Sequence, residues 1–126
     1  MSFSHAAAWI EHSGAHVIQF DANQSSGQHV KQHTRYTRQH GNQERGQHEF
    51  FGEICEALAG IKAVLVVGHH EPETAFRQYV SKHRPALALH IVGWEIVDQP
   101  TEAQVLKLSR EFFVRQGELV ATPRMR

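Results

Sequence analysis

The sequence has little cysteine and no long apolar run, and each lack excludes a class of structure. Its single cysteine, Cys55, cannot form a disulfide within the chain. No apolar run approaches the roughly 20 residues that a membrane-spanning helix needs. The first residues also lack the charged segment and short apolar stretch of a secretory signal. These absences favour a reduced intracellular compartment, and we expect a cytoplasmic protein with no membrane partner.

The charges of the chain cancel as a whole. Thirteen Lys and Arg residues oppose thirteen Asp and Glu residues, so the formal net charge is zero while the 11 histidines are neutral. A chain of 126 residues is expected to form one domain, residues 1–126, with a core that needs no disulfide or structural metal. Attraction to a charged partner would therefore require a local cluster of charge.

The first third of the chain predicts strands followed by a loop. Two apolar runs, residues 7–10 and 16–20, flank Gly14 and predict a β-hairpin. Residues 28–33 have little apolar content and predict at most an edge strand. Residues 34–47 consist mainly of Arg, Gln, His and Gly without periodicity, so we expect a mobile basic loop.

Helical spacing begins after this segment. A first helix is expected to end at Gly60, a strand buried on both faces should cover residues 63–67, and a second helix should lie between Pro72 and Pro85. The side chains expected on the buried stripes of these two helices are Phe51, Ile54, Cys55 and Leu58, then Phe76, Tyr79, Val80 and His83.

The last third predicts one more strand and one more helix. A long strand should occupy residues 87–97, with a bulge or a close backbone approach at Gly93. Thr101 and Gln104 form a capping-box pattern for a helix that ends at Gly117, and residues 118–126 predict a flexible tail. The expected buried face of this helix comprises Val105, Leu108, Phe112 and Phe113.

The order of these elements defines the fold class. Strand, helix, strand and helix in succession imply a parallel crossover that places helices over the sheet. We therefore predict an α/β domain with a mixed sheet of four or five strands.

One segment carries a local excess of positive charge. Lys31, Arg35, Arg38 and Arg45 lie close together in the sequence, and Tyr36 lies among them. Cations interleaved with an aromatic ring suit phosphate contacts and base stacking, so these residues are the candidate binding site for an RNA or protein partner. The competing interpretation is an ordinary solvated loop.

A second candidate is the turn between Gly68 and Pro72. His69 and His70 follow a buried strand and precede a helix, where open α/β sheets hold ligands, so Gly68, His69 and His70 form a candidate crevice for a small anion. Glu71 and Glu73 add negative charge there, which favours a solvated loop instead.

No metal, cofactor or catalytic site is predicted. The histidines are scattered, without the spacing of a metal motif. Cys55 lies on an apolar helical stripe, where a cysteine is typically a small core residue. No serine lies in a nucleophile elbow.

Several short strings resemble one family. The order and position of these strings are similar to those in the C-terminal domain that is shared by the archaeal and eukaryotic class-1 peptide-chain release factor and Pelota. The similarity is greater to small bacterial relatives that are called translational machinery proteins. The strings are residues 8–12 (AWIEH), 15–20 (AHVIQF), 49–51 (EFF) and 64–68 (VLVVG), with Phe76, Tyr79, Pro100 and Thr101.

The resemblance implies a fold and a set of partners. It implies an L7Ae-like α/β/α sandwich that docks a translational GTPase or other ribosome-associated proteins, and related domains bind structured RNA. The sequence departs from the family at Gly68, where a Gly-Pro-Gly is common, and has Glu73 where a Lys is common. The Gly-Gly-Gln tripeptide of release factors is absent.

Three functions follow from these patterns. The first is a non-enzymatic interaction module that acts at or near the ribosome through the ribosome itself, a structured RNA or a translational GTPase. The second is a small enzyme or ligand-binding domain that uses the crevice between Gly68 and Pro72. The third is a self-associating structural protein, active as a homodimer.

The missing tripeptide leads to a direct prediction. The purified chain should not release peptide from ribosome-bound peptidyl-tRNA above the uncatalysed rate, because neither Ser26-Gly27-Gln28 nor Arg45-Gly46-Gln47 contains the first glycine. A peptide-release assay with a genuine release factor as positive control measures this. Release by this chain that disappears on changing Gln28 or Gln47 would contradict it.

Overall fold

The computed structural model describes residues 4–12, 14–21, 23–31, 41–98 and 100–117. Residues 41–45, which begin the longest helix, are described by their backbone alone. Its elements in chain order are the strands β1 (His5–Ile10), β2 (Gly14–Phe20) and β3 (Ser25–Lys31), the helix α1 (Gly41–Ala57), the strand β4 (Ala63–Gly68), the helices α2 (His70–His83) and α3 (Pro85–Ala88), the strand β5 (Ile91–Ile96) and the helix α4 (Glu102–Arg115).

The five strands form one mixed sheet in the order β3-β2-β1-β4-β5. Strands β1, β2 and β3 pair antiparallel, as the predicted hairpin and edge strand require. Strand β4 lies parallel to β1 and to β5, so the chain crosses over the sheet through α1 and again through α2. The predicted α/β class and mixed sheet are confirmed.

Two apolar clusters lie on opposite faces of the sheet. Strand β4 is buried along its whole length and supplies both clusters, because Val64 and Val66 point to one face while Leu65 and Val67 point to the other. Helices α1 and α2 cover the first face with Phe51, Ile54, Leu58, Phe76 and Val80, and α4 covers the second with Val105, Phe112 and Phe113. The molecule is therefore an α/β/α sandwich.

The β2–β3 turn is fixed by side chains. Oδ1 of Asp21 accepts hydrogen bonds from the backbone N–H groups of Asn23 and Gln24, at 2.8 and 2.7 Å. Arg110 of α4 donates to the carbonyl oxygens of Asp21, at 2.9 Å, and Gln24, at 3.1 Å. This contact ties the polar edge strand β3, in which only Val30 is buried, to the helix that covers the sheet.

The predicted loop at residues 34–47 is wrong in its second part. Helix α1 begins at Gly41, so residues 41–47 are helical, while residues 34–40 lie outside the described part of the chain. A helix needs an apolar stripe only where it packs, and Gln, Glu and Arg are good helix formers on an exposed face. The first buried side chain described in α1 is Phe50, which explains why the apolar pattern detects the helix late. The predicted tail, residues 118–126, also lies outside the described residues.

The last strand is shorter than predicted. Residues 87–97 were expected to be strand, yet Leu87 and Ala88 belong to α3, which Pro85 opens. Proline fixes a φ suited to the first turn of a helix, and Leu87 packs on the core from there. The bulge at Gly93 is confirmed, because Val64 pairs with Ile91 and Leu65 pairs with Gly93.

The helix boundaries otherwise follow the sequence signals. The capping box is confirmed, since Oγ1 of Thr101 accepts from the N–H of Gln104 at 3.1 Å and Oε1 of Gln104 accepts from the N–H of Thr101 at 2.8 Å. Gly117 ends α4 with a φ of +77°. Three predicted core residues are more exposed than expected: His83 is exposed, and Tyr79 and Leu108 are half-buried. None of the described helices is long and apolar enough to cross a membrane.

Gly93 provides a test of packing between β5 and α4. A Cβ at this position would lie 2.7 Å from Cζ of Phe112 and 2.9 Å from Cδ1 of Leu65. Gly93→Ala should therefore destabilise the fold by about 1–3 kcal/mol through overpacking. Gly46→Ala is the matched control, because a Cβ there meets nothing within 4 Å and should stabilise the helix by about 0.5–1 kcal/mol. Urea unfolding measures both, and a Gly93→Ala protein as stable as the parent would contradict the packing argument.

Candidate functional site

The ends of three parallel strands define one edge of the sheet, which we call the carboxyl edge. Ile10 of β1, Gly68 of β4 and Ile96 of β5 lie side by side there. Strand β2 starts at the same edge, where Gly14 lies opposite Lys31, the last residue of β3. The last residues of β1, β3, β4 and β5 therefore lie at one edge, although they come from distant parts of the sequence.

The predicted crevice residues lie at this edge. Gly68 packs so closely on Ile10 that a Cβ at Gly68 would overlap the carbonyl oxygen of Ile10, so the backbone of β1 closes the space beside it. His69 is the N-cap of α2, makes no side-chain capping hydrogen bond, and is half-buried, while His70 is exposed. The ring of His69 stacks on that of His12, with 6.0 Å between centroids.

The predicted basic site is only partly described. Lys31 is exposed at the end of β3, and Arg45 belongs to α1 rather than to a loop. Arg35, Tyr36 and Arg38 lie outside the described residues. Helix α1 ends near the start of β4, at the opposite edge of the sheet. Its 17 residues span about 25 Å.

Three aromatic rings form a row across the strands beside Lys31. Trp9 stacks on His16 at 4.6 Å between centroids, and His16 contacts His29 at 4.5 Å. Burial lowers the pKa of His16, the neighbouring His29 lowers it further, and Glu102 and Glu11 act in the opposite direction. The outer member, His29, is exposed on the edge strand, so its imidazole is accessible to a partner.

A buried carboxyl group lies under the carboxyl edge. Glu73, in the first turn of α2, is 5% exposed, and its Oε2 has no hydrogen-bond partner among the described residues. Burial raises its pKa from 4.5 to about 7, although Arg77 lowers it, Glu95 raises it and a hydrogen bond from the Glu95 backbone lowers it. The expectation that Glu73 belongs to a solvated loop is therefore wrong, because its carboxyl is buried in the first turn of α2.

The described residues form neither a metal centre nor an activated nucleophile. Within ranges 4–12, 14–21, 23–31, 41–98 and 100–117, no three His, Cys, Asp or Glu side chains are grouped to hold a metal ion. Cys55 is buried, and burial raises the pKa of its thiol to about 11. The thiol stays protonated near neutral pH and is a poor nucleophile.

The sequence patterns missed two features of this edge. The His12–His69 stack needs the parallel pairing of β1 with β4, although the sequence did show that each histidine follows a strand. The Trp9–His16–His29 row depends on strand register. The alternation of side chains along a strand shows which residues share a face, but it predicts neighbours across strands only when the pairing of the strands is known.

The architecture is similar to that of parts of three solved structures. The archaeal Pelota of Archaeoglobus fulgidus is similar with a TM-score of 0.62 and 16% identity, covering 89% of this chain and 32% of that one. The archaeal translation termination factor aRF1 gives 0.59 and 16%, covering 92% and 35%. Dom34 of S. cerevisiae, a translation termination-like factor in RNA quality control that interacts with Hbs1, gives 0.51 and 13%, covering 90% and 38%.

These similarities establish the fold that the sequence strings implied. The chain spans about a third of the length of each of these structures. No family model matches the chain, and no curated protein matches it.

Glu73 makes stability depend on pH. The pKa of Glu73 is about 7 in the folded chain, against an ordinary value of 4.5 that applies to the unfolded chain. The ionised carboxylate therefore lowers the free energy of unfolding. This loss of stability grows as the pH rises from 4.5 to about 7 and is constant above that pH. Glu73→Gln should therefore stabilise the protein by on the order of 3 kcal/mol above neutral pH and have little effect below pH 4.5. Urea unfolding across this range measures the difference.

A neighbouring residue serves as the control. Glu71 is exposed in the same helical turn, so Glu71→Gln should change stability by no more than about 0.5 kcal/mol. A stability difference between Glu73→Gln and the parent that does not vary with pH would show that the buried carboxyl is not the cause.

Proposed function

We propose that this chain is a non-enzymatic, translation-associated interaction module that binds an RNA partner at or near the ribosome through its carboxyl edge. One observation supports the proposal most strongly. About nine-tenths of this chain has the same fold as a segment that makes up about a third of each of three structures, Pelota, aRF1 and Dom34. The role is the one implied by the small bacterial translational machinery proteins that the sequence resembles, and it places the protein in the cytoplasm.

The chemistry of the carboxyl edge supports an anionic partner. Lys31 is exposed there, and the sequence places Arg35, Tyr36 and Arg38 directly after it. The exposed ring of His29 adds a flat surface next to the cation. Cations contact phosphates while aromatic and imidazole rings stack on bases, which favours RNA among the partners that the sequence suggests.

Binding is favoured over catalysis by the side chains. Cys55 is buried with a raised pKa, and the tripeptide that triggers peptide release is absent from the sequence. The crevice at Gly68, which an enzyme or ligand sensor would use, is closed on one side by the backbone of Ile10. We therefore assign the edge an interaction role without a cofactor.

A protein partner is the second candidate, supported by the outer face of α1. Glu49, Glu53 and Glu56 are exposed there and make the surface of the chain bipolar. An acidic helix face steers a basic protein surface, such as that of a translational GTPase or a second copy of this chain in a homodimer.

Charge reversal at the basic residues tests the RNA proposal. Changing Lys31, Arg35, Arg38 and Arg45 to Glu should abolish most ribosome or RNA binding. It should also lower the slope of log affinity against log salt by about 0.7 for each lost phosphate contact on a single strand. Co-sedimentation with ribosomes and filter binding of ribosomal RNA over a salt series measure both effects.

The control carries the same charge change elsewhere. The residues changed to Glu are four exposed cations away from the carboxyl edge: Lys62, Lys82, Lys107 and Arg115. This variant should keep most of the salt slope. Equal loss of binding in both variants would show that the net charge of the protein, and not the position of the cations, determines binding. Full binding by the first variant would show that the RNA site lies elsewhere.

A further inference from the structure

A groove lies at the opposite edge of the sheet from the proposed RNA site. We call it the amino-edge groove. It has a volume of about 650 Å³ and lies between the end of α1, the segment that leads into β4, and the turn from α2 into α3. Its volume is within the range of about 300–1,000 Å³ that is typical of small-molecule sites.

The groove has apolar walls. Ala59 is exposed on the α1 side, and Ala86 and Leu87 of α3 line the groove from the other side. Leu58 and Ile61 are buried behind this surface. Cys55 adds its thiol, which is neutral because burial raises its pKa to about 11. Gly60 leaves one side open, since a Cβ there would meet nothing within 4 Å. These surfaces suit the carbon skeleton of a ligand.

The charged residues that line the groove are all basic. Lys62, Arg84, His83 and His90 line it, and no Asp or Glu does. Arg84 makes an ion pair with Glu56 at 3.5 Å, but Glu56 lies outside the lining and is 72% exposed. No described carboxylate lies within ion-pair distance of Lys62. An anionic group would therefore find an uncompensated cation at the rim.

The helix ends do not cancel this charge. The groove lies where α1 and α2 end, and exposed carbonyl groups at helix C-termini repel anions. Some of these carbonyls are paired: the oxygens of Ile54 and Cys55 accept from the N–H of Leu58, and that of Val80 accepts from the N–H of Arg84. A helix end carries only about half a unit charge, which is less than the full charge of a lysine or an arginine. Lys62 and Arg84 remain as the dominant full charges.

The rim is held in place by backbone contacts. Nδ1 of His90 lies 3.0 Å from the carbonyl oxygen of Lys62, and because a carbonyl only accepts, Nδ1 donates. The N–H of Lys62 donates to the carbonyl oxygen of Ser4 at 3.0 Å. The backbone of Lys62 is thus tied on both sides, so the site exists before a ligand arrives.

We propose that the amino-edge groove binds a small organic anion, with a carboxylate or phosphate head against Lys62 and Arg84 and an apolar body against Ala59, Ala86 and Leu87. The argument from lining and charge is independent of the RNA proposal, and the two sites are at opposite edges of the sheet.

A set of matched probes tests the head group and the body separately. Octanoate and octyl phosphate carry the two anionic heads, 1-octanol removes the charge and octylammonium reverses it. At least one anion should bind saturably with one molecule per chain. Octanol should bind at least about tenfold more weakly and octylammonium should not bind, because a charge-assisted contact is lost or replaced by repulsion. Calorimetry and NMR titration measure this, and comparing the two anions identifies the preferred head.

Substitutions locate the binding site. Lys62→Glu and the milder Lys62→Gln should weaken anion binding, the former by at least about tenfold. Lys82→Glu is the control, because Lys82 is exposed on α2 outside the groove and should leave the affinity nearly unchanged. Circular dichroism confirms folding of each variant. Unchanged affinity in a folded Lys62→Gln or Lys62→Glu variant would overturn the proposal.

Two binding results would refute the site: equally tight binding of octanol, and the absence of saturable binding by either anion. None of these outcomes bears on RNA binding, which the charge-reversal variant tests separately.

Discussion

The burial of β4 on both faces is the constraint on which the rest of the molecule depends. Six consecutive residues with no exposed side chain need cover on two sides, so the chain must supply helices above and below the sheet. Each fully buried Val or Leu contributes about 1.5–3 kcal/mol from removal of apolar surface from water. The alternation along this one strand divides the core into its two clusters.

The two ends of β4 also determine where binding surfaces can form. At its end, Gly68 packs against Ile10, and the parallel neighbours bring His12 and His69 together. At its start, the N–H groups of Lys62 and Ala63 both donate to the carbonyl oxygen of Ser4, which holds the rim of the amino-edge groove. At the first edge, Lys31 precedes a basic stretch of sequence, whereas the second edge carries a small open groove.

The fold could be predicted from the sequence wherever the signal was local. The run at residues 63–67, the stripe of Phe51, Ile54 and Leu58, and the capping box at Thr101 each report an environment that a few neighbouring residues determine. The start of α1 at Gly41 was missed because its first turns have no apolar stripe. The start of β5 was misplaced because aliphatic residues after Pro85 suit either a short helix or a strand, and packing decides between them.

The candidate sites were harder to predict than the fold. Lys31 and the arginines after it are visible as a charge cluster, but Glu73 looks like an ordinary surface partner of Arg77 until its burial is known. The amino-edge groove joins Lys62, Arg84 and His90 from three separate segments, and no motif links such positions. The resemblance to release-factor domains marked Glu73 only as a departure from a common Lys, and it did not point to the groove.

The pairing of β1 has a consequence for the order in which the molecule assembles. Its antiparallel partner β2 follows directly in the chain, so these strands and β3 form by local contacts. Its parallel partner β4 comes only after β3 and α1 have been made. Until then the nascent meander presents a bare strand edge, with the apolar Ala6, Ala8 and Ile10 uncovered on one face. During synthesis, the time needed to complete β4 therefore sets how long the growing chain is exposed to aggregation through that edge.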